Sequence, residues 1–208
     1  MTEPTPAEIV EINRRHAEKM ARVKEAKDRL IASKTIEKGL LMVHTGAGKG
    51  KSTAGFGLML RHLGYGRKVG LVRFIKATEE TGEIMALKRF GDLFAYHTAG
   101  EGFTWDTQDR ERDIACARRG WELALGLLAD PAFGLVVLDE LNIALRYDYL
   151  PVDEIVAALT ARRPDLHVLV TGRNAKPELI EAADLVTEMN NVKHHFRAGV
   201  RAQAGIEF

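Results

Sequence analysis

Residues 45–53 combine glycines, lysines and hydroxyl groups in the order typical of a phosphate-binding loop. The glycines allow consecutive backbone N–H groups to point at one anion, and a helix that starts there adds its positive dipole end. Lys51 is expected to contact phosphate oxygens, and the hydroxyl of Ser52 is expected to bind Mg²⁺. The pattern departs from the usual one because Thr45 stands where the first glycine belongs, and a second lysine, Lys49, lies inside the loop. The alternative is a glycine-rich turn that only connects a strand to a helix. The predicted phosphate-binding residues are Thr45, Gly46, Ala47, Gly48, Lys49, Gly50, Lys51, Ser52 and Thr53.

Two carboxylates, Asp139 and Glu140, follow the apolar segment 135–138. Acidic residues at the carboxyl end of a buried strand lie at the edge where α/β sheets bind ligands. In a phosphate-loop protein, such an acid binds Mg²⁺ directly or through water. Asp139 fits that role, Glu140 is a ligand or a base, and a surface acidic pair is the alternative. The adjacent His194 and His195 are poor joint metal ligands, and a structural role is favoured for them.

Four further side chains are candidates for ligand contacts. Lys76 and Arg173 end two other predicted strands, where each is positioned to pair with a phosphate or carboxylate. Phe103 and Trp105 lie in a loop between glycines and polar residues, so they predict a flat apolar surface for a ligand. The alternatives are a structural lysine or arginine, and a loop that is anchored by its own aromatic residues.

Strand-like and helix-like segments alternate after residue 39, which predicts an α/β fold with a mainly parallel sheet. Together with the phosphate-binding loop, this alternation predicts a three-layer fold of the phosphate-loop NTPase type. Residues 1–39 predict a separate polar helical extension, and residues 40–208 predict the nucleotide-binding domain. The predicted strands are residues 40–44, 68–75, 93–97, 135–140, 166–171 and 185–189. A predicted helix follows the loop and ends near residue 63. Further helices are predicted at residues 82–90, 108–129, 151–161 and 177–183.

Composition limits the possible partners and the compartment. The 208 residues carry 30 basic and 29 acidic side chains, a net charge of +1, so nothing favours nucleic acid or an anionic membrane as a partner. The single cysteine, Cys116, excludes an internal disulfide and fits a reducing compartment. No apolar run approaches the roughly 18 residues of a membrane span, and the polar amino terminus does not read as a targeting signal. We therefore expect a cytoplasmic protein.

Several short segments together resemble the ATP:cob(I)alamin (corrinoid) adenosyltransferases of the phosphate-loop type. The resemblance covers most of the chain, and Gly-Phe-Thr-Trp with the spacing of the rest is its most specific part. The matching segments are Thr-Gly-Ala-Gly-Lys-Gly-Lys-Ser-Thr-Ala (45–54), Gly-Phe-Thr-Trp (102–105), Leu-Asp-Glu-Leu (138–141), Tyr-Asp-Tyr-Leu-Pro (147–151), Thr-Gly-Arg (171–173), Val-Lys-His (192–194) and Ala-Gly-Ile-Glu-Phe (204–208).

The resemblance implies a homodimer that moves the 5′-deoxyadenosyl group of ATP onto the Co(I) of cobalamin or another corrinoid and releases triphosphate. It implies Mg²⁺ or Mn²⁺ as the metal, a separate reductant for cobalt, and ATP lying reversed in the loop. It also implies that the amino-terminal helix covers the corrinoid, from the neighbouring subunit.

The same resemblance assigns roles to individual residues. Lys49 and Lys51 are the implied catalytic lysines that take up the charge of the leaving triphosphate. Ser52 and Glu140 are the implied metal ligands, with Asp139 nearby. The other implied catalytic residues, Phe103 and Trp105, crowd the lower face of the corrin ring, displace its axial base and so ease reduction to Co(I).

Three other functions remain open from the residues alone. A hydrolytic phosphate-loop ATPase of recombinase-like design would release orthophosphate rather than triphosphate. A small-molecule kinase needs a mobile arginine-bearing lid, for which residues 79–88 are a poor candidate. A non-catalytic nucleotide sensor would use Phe103 and Trp105 as a partner surface.

Overall fold

The computed structural model describes residues 5–75, 81–99 and 109–207, and the chain divides into two compact units between Glu37 and Lys38. The first unit contains one helix, α1 (Pro6–Ala32). A capping box starts it, because the Thr5 hydroxyl accepts from the Glu8 N–H and the Glu8 carboxylate accepts from the Thr5 N–H. The apolar side chains of α1 are all exposed, among them Ile9, Val10, Ile12, Met20, Val23, Leu30 and Ile31.

The second unit alternates strands and helices along the chain, as the sequence predicts. The strands are β1 (Leu41–Thr45), β2 (Lys68–Arg73), β3 (Phe94–Thr98), β4 (Phe133–Asp139), β5 (His167–Thr171) and β6 (Leu185–Glu188). The helices are α2 (Lys51–Gly64), α3 (Gly82–Leu87), α4 (Arg110–Ala129), α5 (Leu141–Arg146), α6 (Val152–Thr160) and α7 (Pro177–Ala182). Two 3₁₀ segments add to them, Lys88–Leu93 and His195–Ala198.

The six described strands form one sheet in the order β3-β2-β4-β5-β1-β6, and every pairing is parallel. The prediction of an α/β fold with a parallel sheet is therefore confirmed. Parallel pairing brings the carboxyl ends of β1, β4 and β5 to one edge, where the predicted site residues follow the strands.

Successive side chains along each strand point to opposite faces of the sheet, and one apolar cluster lies on each face. Helix α2 covers one face, where Phe56 and Met59 pack with Leu135 and Val137 of β4. Helices α4 to α7 contribute to the other face, where Trp121 of α4 lies in the cluster of Val136 and Leu138. Because both faces are covered, the central strands are almost continuously apolar, as is usual for parallel sheets.

The predicted elements differ from the structure in three informative ways. Strand β4 ends at Asp139, so the prediction that Glu140 belongs to the strand is wrong. Glu140 instead adopts a left-handed conformation with φ 63° before α5. The sequence analysis missed α5, because a six-residue helix gives too short a periodic pattern. The helix predicted at residues 82–90 ends at Leu87 and continues as a 3₁₀ segment.

Among the described helices, none combines the length and the apolar character that crossing a membrane requires. Cys116 is buried in α4 and is a free thiol.

Candidate nucleotide-binding site

The phosphate-binding loop joins β1 to α2 and depends on its glycines. Gly46 and Gly50 have φ values of 93° and 105°, which residues with a Cβ rarely adopt. A Cβ on Gly46 would lie 2.4 Å from the carbonyl oxygen of Met189, which follows β6. The N–H of Gly48 donates to the same oxygen at 2.6 Å. The loop is therefore packed against the end of β6, and no side chain fits between them.

Lys51 begins α2 and folds back over the loop. Its Nζ donates to the carbonyl oxygens of Gly46 and Gly48 at 2.8 and 2.5 Å, and its side chain is buried. Burial lowers the pKa of Lys51; the negative charge of Glu140 opposes this effect and the positive charge of Arg173 adds to it. The first N–H groups of α2 cannot bond within the helix, so the start of α2 supplies further donors beside this ammonium group.

A cavity of about 400 Å³ opens above the loop and the start of α2. Its walls come from the loop, from the ends of β4 and β5, from α3 and from the carboxyl-terminal part of the chain. The residues that line it are Gly48, Lys49, Gly50, Lys51, Ser52, Thr53, Phe56, Thr81, Glu83, Glu140, Arg173, His194, Ile206 and Glu207. Cationic side chains and backbone donors meet three carboxylates here, those of Glu83, Glu140 and Glu207. Such a mixture of groups suits a phosphate chain with a bound divalent cation.

Thr45, the residue that replaces the first glycine of the usual pattern, has a structural contact. Its hydroxyl oxygen accepts from the N–H of Ala175 at 3.0 Å, and the residue is buried. This bond fixes the segment that carries Arg173 to the beginning of the phosphate-binding loop. A glycine at this position would have no side-chain oxygen to accept that bond.

The carboxylate of Asp139 is buried beneath the cavity. Its Oδ1 accepts from the Thr171 hydroxyl at 2.7 Å, and its Oδ2 lies 3.5 Å from Nε of the buried Arg73. The same Thr171 oxygen accepts from the N–H of Glu140 at 3.0 Å. Asp139 is therefore engaged with β2 and β5, while Glu140 is turned to the cavity.

Asn142 of α5 contacts the backbone immediately after β5. It is buried, and its Nδ2 donates to the carbonyl oxygen of Gly172 at 3.0 Å. Gly172 has φ 129°, and a Cβ there would lie 2.8 Å from the Asn142 Cβ and 3.1 Å from Oε2 of Glu140. This close approach explains a glycine immediately after β5.

The structure brings most of the predicted site residues together. Gly48, Lys49, Gly50, Lys51, Ser52, Thr53, Glu140 and Arg173 line the cavity, and Thr45, Gly46 and Ala47 lead into it. Asp139 lies behind the cavity wall. The predicted contacts Lys76, Phe103 and Trp105 fall outside the described residues.

Sequence reasoning missed several parts of this cavity. Thr81 and Glu83 line it but carry no local signal in the sequence. Glu207 belongs to the resembling segment 204–208 and carries no signal of its own, yet its carboxylate pairs with Lys49. Within residues 5–75, 81–99 and 109–207, no three His, Cys, Asp or Glu side chains cluster as a metal site.

The fold and the cavity define the class of protein. A parallel α/β sheet, a glycine-rich loop between its strand β1 and helix α2, and lysines on that loop are the features of a phosphate-loop nucleotide-binding protein.

Comparison with known proteins gives the family. Residues 37–208 match the family described as ATP:corrinoid adenosyltransferase BtuR/CobO/CobP. A corrinoid adenosyltransferase of Pseudomonas aeruginosa is 55% identical over 97% of this chain and 99% of its own length. One from Sinorhizobium sp is 55% identical over 93% of this chain and 92% of its own. One from Escherichia coli K12 is 45% identical over 93% and 98%.

This chain therefore belongs to the ATP:corrinoid adenosyltransferase family and is an enzyme of ATP-dependent adenosyl transfer to a corrinoid. The resemblance drawn from the short segments is confirmed. The alternative of a hydrolytic ATPase has no comparable support.

Proposed function

We propose that the cavity above the phosphate-binding loop holds the triphosphate of ATP while its 5′-deoxyadenosyl group passes to the Co(I) of a corrinoid. The observation that carries this proposal is the convergence of Lys49, Lys51 and Arg173 on one cavity of about 400 Å³ at the start of α2. Three cationic side chains and the helix amides suit a highly charged phosphate chain.

The reaction makes modest chemical demands on the protein. The electron pair of Co(I) forms the bond to C5′ of ATP, and the C5′–O bond breaks with its electrons leaving on triphosphate. Since cobalt supplies the nucleophile, the residues must orient C5′ and stabilise the leaving charge. We assign the second task to Lys49, Lys51 and the loop amides, because these residues line the cavity.

The oxygen donors at the cavity fit Mg²⁺. Ser52 offers a hydroxyl and Glu140 a carboxylate, both on the cavity wall. Mg²⁺ is usually bound by one or two protein oxygens together with phosphate oxygens and water, so a larger cluster of ligands is not needed. When bound there, Mg²⁺ neutralises charge on the phosphates. We assign Ser52 and Glu140 as its ligands and Asp139 as support for Glu140.

We further propose a cytoplasmic homodimer that depends on a separate reductant for cobalt. The sequence resemblance supports the dimer and the reductant, and the single buried thiol of Cys116 fits a reducing compartment. Sedimentation equilibrium is expected to give twice the chain mass of 23.1 kDa, and a monomer at working concentrations would contradict the dimer.

The direct test is anaerobic incubation with Mg-ATP and chemically reduced cobalamin. We expect a light-sensitive alkylcobalt spectrum and one triphosphate for each adenosyl group transferred. Orthophosphate with an unchanged corrinoid spectrum would contradict the transfer.

A pair of lysine variants tests the loop. Lys51→Met should lower the rate about 100-fold or more, because one preorganised cationic donor to the leaving group is lost. Lys68→Met is the matched control, since Lys68 lies over the Phe133 ring at the opposite end of the sheet. A similar loss in both variants would contradict the role of Lys51.

A further inference from the structure

Glu207 places a carboxylate against the second lysine of the phosphate-binding loop. Its Oε2 forms an ion pair with Nζ of Lys49, 158 residues away in the sequence. Its Oε1 lies 3.1 Å from Nε2 of His195. The Glu207 side chain is only 15% exposed, whereas its neighbour Ile206 is 76% exposed. An acidic side chain is thus held inside the cavity that we assign to triphosphate.

A turn in the chain holds this carboxylate in place. The N–H groups of Ile206 and Glu207 both donate to the carbonyl oxygen of Gln203, at 3.1 and 2.9 Å. Gly205, which lies between Gln203 and Ile206, has φ 78°, which a glycine adopts at little cost. The hydrogen bond with Lys49 lowers the pKa of Glu207, against the opposing effect of burial, so the group is ionised at neutral pH.

The two lysines of the loop therefore have different partners. Lys51 donates to neutral carbonyl oxygens of the loop itself, and these remain compatible with a nearby phosphate. Lys49 is paired with an anion. A phosphate binds the ammonium group of Lys49 fully only when it replaces Glu207 as the partner of that group.

We propose that Glu207 competes with triphosphate for Lys49, so that residues 203–207 weaken the binding of this product and help its release. The inference rests on the proposed function, in which triphosphate is the leaving group. A competing internal contact reduces the apparent affinity in proportion to the fraction of molecules in which the site is open. A weaker hold on triphosphate speeds a release step of the kind that limits turnover in many enzymes.

Binding of inorganic triphosphate in the presence of Mg²⁺, measured by titration calorimetry without corrinoid, tests this proposal. Glu207→Gln keeps the size of the side chain and removes its charge. We expect it to bind triphosphate about 3- to 10-fold more tightly than the natural chain, because the competitor is weakened. Glu122→Gln is the matched control, since Glu122 is exposed on α4, does not line the cavity and loses the same charge. Its effect should stay below about 2-fold, as expected for a general change in charge.

The same pair of substitutions in a Lys49→Ala background separates competition at Lys49 from a general charge effect. The gain from Glu207→Gln should disappear there, because the two residues act through one contact. Tightening that persists without Lys49 would overturn the proposal, as would a Glu207→Gln variant that binds no more tightly than the natural chain. If either of these two results is found together with normal adenosyl transfer, the proposed function still stands. A natural chain that binds no triphosphate would overturn both this proposal and the proposed function.

Limited proteolysis of the unaltered chain provides a test without any substitution. Arg201 is exposed and precedes the turn that carries Glu207. If triphosphate displaces the carboxylate, saturating triphosphate should speed the release by trypsin of the peptide that starts at residue 202, measured by mass spectrometry. Unchanged or slower release with bound triphosphate would overturn the proposal.

Discussion

Thr171 shows how one hydroxyl group organises the carboxylates at the end of β4. Its oxygen accepts from the Glu140 N–H, and its O–H donates to Oδ1 of Asp139. Glu140 has a left-handed backbone conformation, which costs free energy for a residue with a Cβ. The hydrogen bond to Thr171 helps to hold that conformation, and Arg73 lies on the other side of Asp139. Thr171 thus helps to hold Glu140, which we propose as a ligand of Mg²⁺, in its position.

Thr171→Val should therefore separate this role from simple packing. Valine matches the shape but leaves a buried N–H and a carboxylate oxygen unpaired, which costs about 1–3 kcal/mol of stability. The Mg²⁺ concentration for half-maximal activity should rise several-fold, because Glu140 is less well held. Urea unfolding and Mg²⁺ titration measure the two effects. Thr171→Ser keeps the hydroxyl group and should restore the Mg²⁺ response, and Thr187→Val on β6 serves as a control. Equal Mg²⁺ responses in Thr171→Val and Thr171→Ser would contradict the role of the hydroxyl group.

A second residue-scale feature is the half-buried histidine pair His62 and His167, at the end of the sheet away from the loop. Nδ1 of His167 accepts the Leu40 N–H at 3.1 Å, and the two rings meet edge to face with centroids 6.1 Å apart. Burial, with added effects of Arg67 and Arg162, lowers the pKa of His167 below its usual 6.5. The neutral ring is therefore the form that the fold accommodates.

This shift predicts a loss of stability in mild acid. Below about pH 6.5 the unfolded chain binds a proton at His167 that the folded chain binds only at lower pH, so the free energy of unfolding falls as pH decreases through that window. His167→Asn supplies an acceptor for Leu40 that does not titrate. Urea unfolding at about pH 7.5 and about pH 5.5 should show a smaller loss for this variant than for the natural chain. The same loss in both would contradict the assignment.

At the scale of elements, the phosphate-binding loop is shaped by its neighbour β6 as much as by its own sequence. The N–H of Gly48 donates to Met189, and Met189 in turn donates to the carbonyl oxygen of Thr45 at 2.9 Å. The backbone at the carboxyl end of β6 is thus hydrogen-bonded to the loop on both sides of Met189. The conformation of the loop therefore depends on the packing of a strand that follows it by about 140 residues in the chain.

Gly46→Ala tests this packing. The new Cβ would collide with the Met189 backbone and the residue would keep a positive φ, so we expect a loss of about 1–3 kcal/mol in stability and at least 10-fold weaker triphosphate binding. Gly57→Ala in α2 is the matched control, because nothing lies within 4 Å of its added Cβ. It should stabilise the chain by about 0.4–1 kcal/mol. Thermal unfolding and calorimetry measure both; unchanged triphosphate binding in Gly46→Ala would contradict the dependence of the loop on this packing.

At the scale of the whole molecule, the chain has two units of different character. Both apolar clusters are built from residues of the second unit, Lys38–Phe208. The described part of the first unit is a polar helix with surface ion pairs such as Arg14–Glu18 at 2.6 Å. Helix α1 contributes no side chain to either cluster, so the second unit has its own core.

Removal of residues 1–37 should therefore leave the second unit folded. We expect one cooperative thermal transition and triphosphate binding within about 3-fold of the full chain, because the apolar clusters and the phosphate cavity are retained. Adenosyl transfer should fall at least about 10-fold if α1 covers the corrinoid, since an open site admits water to the reactive cobalt. Loss of cooperative unfolding would contradict the independence of the second unit, and undiminished transfer would contradict the covering role.

Local patterns in the sequence were enough to predict the phosphate-binding loop, the alternation of strands and helices, and the family. Each depends on residues that are close together in the chain: the glycines and lysines of 45–53, and apolar runs such as 135–138. Hydrophobic periodicity and glycine conformations are properties of such short segments, so they can be recognised without knowledge of distant partners.

The direction of a side chain at the end of a strand depends instead on partners that are far apart in the chain. The pairing of β4 with β2 and β5 places Asp139 against Arg73 and Thr171, which leaves Glu140 facing the cavity. The contact of Lys49 with Glu207 spans 158 residues. No local rule predicts such contacts, because they follow from the strand order and from the free energy of packing the whole sheet.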